Sequence, residues 1–169
     1  MSLETAVLGE TITRIDLSTS EEHRLAARRM AEQAQRSLLI HTRNLDPAIY
    51  DAQDFIDAVG KLARSSRRAE VRILVQDSGP VVQRGHRLIQ LAYQLTSFIK
   101  IRRPDEMFKD FNQAFLLADD RGYIHRPHGD RFEGTACFND PARVAELRQY
   151  FDRVWEHSQP DPNIRRLDI

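Results

Sequence analysis

The chain has 169 residues, of which 41% are apolar and 30% charged, with 25 basic and 25 acidic side chains and a single cysteine. That length fits one domain with a sizeable core, and Leu, Ile, Val and Phe together number 44, too many for a charged chain that stays disordered. One cysteine, Cys137, excludes an intramolecular disulfide framework and a cysteine-built zinc site; no apolar run reaches the length of a membrane span, and no secretory signal opens the chain, so a reducing cytoplasm and no membrane insertion are expected.

Residues 1–10 show no periodicity and read as a flexible leader. Thr11 to Leu17 alternates and is rich in β-formers, which predicts a strand. Ser18-Thr19-Ser20 before Glu21-Glu22 offers two overlapping capping boxes. The helix that follows runs to about Gln35 with Ala27, Met30, Ala31 and Ala34 on one face. Ser37 to Thr42 is a buried-type strand, broken by Asn44 to Pro47, and Ala52 to Arg64 carries a helical stripe through Phe55, Ile56, Val59, Leu62 and Ala63. Val71 to Gln76 is the next strand and Asp77 to Pro80 ends it. A third helix carries Leu88, Leu91, Ala92 and Leu95, and Phe98 to Ile101 is a short strand. Phe111 to Ala118 is strongly strand-like; Asp119 to Gly122 turns it back into Tyr123 to Arg126 as a hairpin, and Thr135 to Phe138 is a further strand. Asp140 caps a last helix with Pro141 at its first position and a stripe of Val144, Leu147, Phe151, Val154 and Trp155. Pro160 and Pro162 end the ordered part. The expected organisation is one α/β domain over residues 11–158, a mixed β-sheet flanked by helices, followed by a tail over 159–169.

In such sheets, ligands favour the carboxyl ends of parallel strands, which here carry His41 and Arg43, Gln76 and Asp77, and Arg102 and Arg103. Of the 25 basic residues 22 are Arg, whose planar fork suits phosphate or carboxylate. The densest polar cluster runs from His125 and Arg126 to His128 and Asp130. Two histidines three residues apart in a Pro/Gly loop are too weak a signal for a metal site, so no metal and no cofactor are expected. Cys137, between Ala136 and Phe138, reads as buried. The pairs Arg67-Arg68, Arg102-Arg103 and Arg165-Arg166 have no aromatic interleaved in sequence, which makes them solvated surface and nucleic-acid binding through them the weaker reading.

Asn112-Gln113-Ala114-Phe115-Leu116-Leu117-Ala118-Asp119-Asp120 resembles the signature strand of the phospholipase D superfamily, His-x-Lys-x-x-x-x-Asp followed by a turn and a second strand. Glu133, then Ala136 to Pro141 and a helix ending Phe151-x-x-x-Trp155, is similar to the usual end of one half of such a protein. The resemblance implies the α-β-α fold of one phospholipase D-like half, a homodimer, and a role beside a bacterial acetyltransferase. It does not carry the catalytic residues over: Asn112 stands where the family has its nucleophilic His, and Ala114 where it has the phosphate-binding Lys. Asn is a very poor nucleophile and a methyl group neutralises no charge. The expected function is therefore a non-catalytic binding or interaction module. Its expected pocket takes a phosphate-like anion and is formed by His41, Arg43, Asn112, Asp119, His125 and Arg126. Histidine charging near pH 6.5 would raise its anion affinity. The alternatives are a phosphoester hydrolase rebuilt on His41, His125 or His128, and a nucleic-acid-binding domain.

Overall fold

The computed structural model describes residues 2–164. Eight strands form one mixed sheet in the order β1-β7-β6-β5-β2-β3-β4-β8. The first is β1 (Ile15–Leu17), and α1 (Ser20–Gln33) follows. Thr19 is the N-cap that closes the capping box with Glu22. Then come β2 (Ser37–Thr42), the single turn α2 (Pro47–Tyr50), α3 (Gln53–Ser65) and β3 (Glu70–Val75). Two short helices, α4 (Gly79–Arg84) and α5 (Arg87–Gln94), lead to β4 (Ile99–Arg103). Next come β5 (Ala114–Ala118), β6 (Gly122–Arg126), β7 (Gly134–Cys137), α6 (Pro141–Glu156) and β8 (Gln159–Pro160).

Strands β2, β3 and β4 are parallel, and every other pairing is antiparallel. Successive parallel strands step in one direction across the sheet. Because such crossovers share one hand, the helices between them lie on one face. That face buries Leu38, Ile40, Val71, Ile73, Leu116 and Ile124 against α1, α3 and α5, in the larger core cluster. The other face is covered by α6, through Leu39, Leu74, Phe115 and Leu117 against Val144, Leu147, Phe151 and Val154, with Phe108 and Phe111 from the segment before β5 packed beside it. Alternation along each strand thus assigns every side chain to one face or the other.

Three parts of the expected layout change. Residues 2–10 are no free leader: Leu3 and Ala6 are buried, Arg29 and Gln33 donate to the Ala6 carbonyl at 3.1 Å, and Leu8 N–H donates to Gln33 Oε1 at 2.8 Å. Nor does order end at Pro160, because β8 pairs with β4 and Tyr93 donates its hydroxyl to the carbonyl of a buried Ile164. The strand expected from Phe111 begins only at Ala114, since a 3-10 turn over Glu106–Phe108 and the Asn112 region lead into it from outside the sheet. Arg165 and Arg166 lie outside the described residues. No helix among the described residues is long and apolar enough to cross a membrane.

Candidate functional site

The sheet changes from antiparallel to parallel at β2, between β5 and β3, so the carboxyl end of β2 is where a cleft would open. On the face carrying α1 and α3, Ala114 of β5 is paired with Arg126 of β6. Arg126 is 4% exposed, and both terminal nitrogens of its guanidinium are engaged. One terminal nitrogen donates to Asp46 Oδ2 at 2.5 Å; the other donates to the carbonyls of Gly129 and Arg131, at 3.2 and 3.3 Å. Asp46 is presented by the turn after β2, where Leu45 and Asp46 both have positive φ, and it also accepts the Thr42 hydroxyl at 2.7 Å. Below the pair, Gly134 lets β7 pass close: a Cβ there would sit 2.4 Å from the His125 carbonyl and 3.1 Å from Arg126 Cγ. The loop after β6 is tied to α1, where His23 meets the Phe132 carbonyl, and to Asn112, whose carbonyl accepts Gly129 N–H at 2.6 Å. Asn112 itself is exposed. Burial pushes the His23 pKa down, so the ring there is neutral and donates its N–H.

The opposite face carries a different group. His41 of β2 is paired with Phe115, and Phe115 with His125 of β6, so these three side chains form a row across the sheet. His41 is 1% exposed, stacked on Phe115 with ring centroids 5.3 Å apart and edge-on to Phe111 and Tyr150. Its Nδ1–H donates to the Gln113 carbonyl at 3.1 Å, while Nε2 is buried and has no partner. The Gln113 side chain turns to His125 and accepts from its Nε2–H at 2.8 Å. Burial pushes the pKa of both rings down to about 4, with the positive field of Arg43 adding to the effect on His41 and that of Arg143 to the effect on His125.

The six residues expected to share one pocket are therefore dispersed. His41 and His125 lie on one face and Arg126 on the other, with the sheet between them. Arg43 is exposed past the end of β2, where it reaches the Lys109 carbonyl at 3.3 Å. Asp119 sits at the far end of β5, in a turn with φ +55°, and its carboxylate accepts the backbone N–H groups of Gln35, Arg36 and Ser37 at 2.7, 2.8 and 3.0 Å. It fastens the hairpin to the start of β2 and cannot reach a ligand at the other end. Because both histidines titrate far below 6.5, the expected rise of anion affinity near that pH does not follow. His128 is exposed in its loop, and no group of three or more His, Cys, Asp or Glu among the described residues could hold a metal ion. The sequence reading missed Asp46 and Gln113. An Asp after a strand looks like any turn residue, and nothing local shows that it meets an Arg 80 positions away.

This arrangement can be set beside known proteins. The chain belongs to the DUF7931 family. Its family model, described as a domain of unknown function, matches residues 19–167. No curated protein matches the chain. Among solved structures the chain is similar to Nuc, a phospholipase D family member from Salmonella typhimurium, with 14% identity over 88% of this chain and 97% of that one, at a TM-score of 0.62. NucT from Helicobacter pylori gives 12% identity, 89% and 99% coverage and a TM-score of 0.63. TrmBL2, an archaeal chromatin protein, gives 18% identity over 94% of this chain, at a TM-score of 0.65; the chain spans 56% of its length. At these identities the likeness is one of fold, and the fold is that of phospholipase D family domains.

Proposed function

We propose that this DUF7931 domain is a non-catalytic binding or interaction module built on a phospholipase D-like half, with the ancestral pocket filled from within. The observation that carries the reading is the buried Arg126–Asp46 pair. Arg126 lies beside Ala114, at the position where the superfamily motif has its phosphate-binding Lys, and it already holds a carboxylate and two carbonyls. The Asp46 carboxylate thus takes the place of a bound anion. Asn112, at the position of the family nucleophile, has no basic nitrogen to attack phosphorus. A hydrolase rebuilt on His41 or His125 is disfavoured by the same geometry: His41 Nε2 is sealed among aromatic rings, and no Arg is hydrogen-bonded to either imidazole.

Turnover of bis(p-nitrophenyl) phosphate and of a phospholipid panel tests the proposal. Rates at the level of the protein-free blank are expected. Turnover above it that disappears in His41→Ala, His125→Ala or His128→Ala would overturn the reading. Pairing as a homodimer and a role beside a bacterial acetyltransferase belong to the same proposal. Light scattering tests the first, and co-purification with an acetyltransferase the second.

A further inference from the structure

One helix lies over the α6 face of a sheet eight strands wide, and it buries Leu74 of β3 but leaves Arg72 at the start of β3, and β4, partly exposed on that side. Alternation decides what those strands show there. Ile99 and Ile101 of β4 and Val71 and Ile73 of β3 point into the larger core, so Arg72, Lys100 and Arg102 point out on the α6 side. Arg67 and Arg68, exposed in the loop before β3, join them around a cavity of about 230 Å³. Trp155, on the last turn of α6, forms its wall. The guanidinium carbons of Arg72 and Arg102 lie 5.2 and 5.1 Å from the centroid of its ring. Glu70 is the one acidic residue in the lining, and it is paired with Arg72 at 3.1 Å. Among the described residues no ion pair engages Arg67, Arg68, Lys100 or Arg102. A chain with no net charge therefore gathers five cations at one spot. The aromatic that the sequence does not place near Arg67, Arg68 and Arg102 is brought to them by α6.

We propose that this open sheet face, Arg67, Arg68, Arg72, Lys100, Arg102 and Trp155, binds single-stranded nucleic acid without sequence preference. Guanidinium forks match phosphate oxygens bidentately, and the Arg72 and Arg102 guanidinium planes, backed by a Trp155 ring that is itself stacked on Phe151 at 5.7 Å, offer unpaired bases a surface on which to stack. A duplex keeps its bases stacked on one another and so offers the cavity no unpaired base. A membrane is the poorer partner: the exposed large hydrophobic residues Val7, Ile12, Val82 and Met107 all lie outside the cavity lining. The site is separate from the Arg126 pocket, so the proposal stands whether or not that pocket is silent.

Because Trp155 is the one tryptophan of the chain, its fluorescence reports on the site directly. The full chain is titrated with a short labelled oligothymidylate and a mixed-sequence RNA, and anisotropy and tryptophan quenching are read together. Saturable binding with parallel quenching is expected. The slope of log affinity against log salt should be about −2 to −3, from three or four neutralised phosphates at roughly 0.7 each. Arg67→Glu with Lys100→Glu, both exposed and outside the core, should weaken binding roughly tenfold or more. The same charge change in Arg24→Glu with Arg84→Glu, both exposed on helices of the opposite face, should leave it close to wild type. Melting curves confirm that both variants fold. The proposal is overturned by absence of binding, by binding that leaves tryptophan fluorescence unchanged, or by equal losses in the two variants. Tighter binding to a duplex of the same length, to polyglutamate or to phosphatidylserine vesicles would also overturn it.

Discussion

Neutralising Asp46 should destabilise the domain by an amount set by the charge it leaves behind. Asp46→Asn keeps the size of the side chain, tolerates the positive φ of 29° and can still accept one hydrogen bond, so the change is confined almost entirely to charge. What remains is a guanidinium 4% exposed, with two neutral carbonyls for company. Removing one partner of a buried ion pair costs about 3–5 kcal/mol, and Asp46 is itself slightly solvent-accessible, so the lower end, about 3 kcal/mol, applies. For a chain of this size that lowers Tm by roughly 6–12 °C, out of a total stability of roughly 5–15 kcal/mol. Thermal and urea unfolding followed by circular dichroism measure it. Adding Arg126→Met to Asp46→Asn removes the uncompensated charge and should recover part of the loss, although the Gly129 and Arg131 carbonyls then lose a donor. If Asp46→Asn melts within a degree or two of wild type, the pair is solvated in solution. The argument that the pocket is filled from within then fails.

Stability should also fall on acidification. His41 titrates near 4 in the folded chain and near 6.5 when unfolded, so between those values the unfolded state binds the extra proton and stability declines as pH drops. For His41 alone the full loss is on the order of 3 kcal/mol, reached near pH 4. His41→Phe, which keeps an aromatic ring against Phe115, should remove its share of that slope and leave the share of His125; an unchanged curve would place the titration elsewhere. Asp119→Ala removes the acceptor of three backbone N–H groups, of which that of Ser37 is part-buried, and puts a Cβ residue without a local hydrogen bond at positive φ, for a loss of roughly 1–3 kcal/mol by urea unfolding. Asp119→Asn should lose less. In α6, Phe151→Ala should cost about 3–5 kcal/mol because the ring is fully buried, and Trp155→Ala distinctly less, since the indole is half-buried and faces Arg72 and Arg102. Equal melting shifts for the two would contradict this placement.

Local chemistry made much of the fold legible. The Thr19–Glu22 capping box, the Asp140-Pro141 start of α6 and the apolar stripes of α3 and α6 act within one or two helical turns, and each stands where the sequence places it. Strand Ser37–Thr42 and the hairpin at Asp119-Asp120 are likewise set by composition and turn preference. The short helices α2 and α4 were hidden because Pro47 and Pro80, which read as breaks, sit in their first turns, where proline's missing N–H costs nothing. Which residues form a site is a different matter. Candidates at strand ends can be gathered from sequence, but whether two of them face each other depends on register, and a shift of one residue sends a side chain through the sheet. His125 and Arg126 are neighbours in the chain and lie on opposite faces for that reason. Arg126 found its partner in Asp46, and Arg72 and Arg102 found Trp155, only once β2, β3, β4, β6 and α6 were assembled. Burial, and with it the depressed histidine pKa values, is a property of that assembly and of no local stretch of sequence.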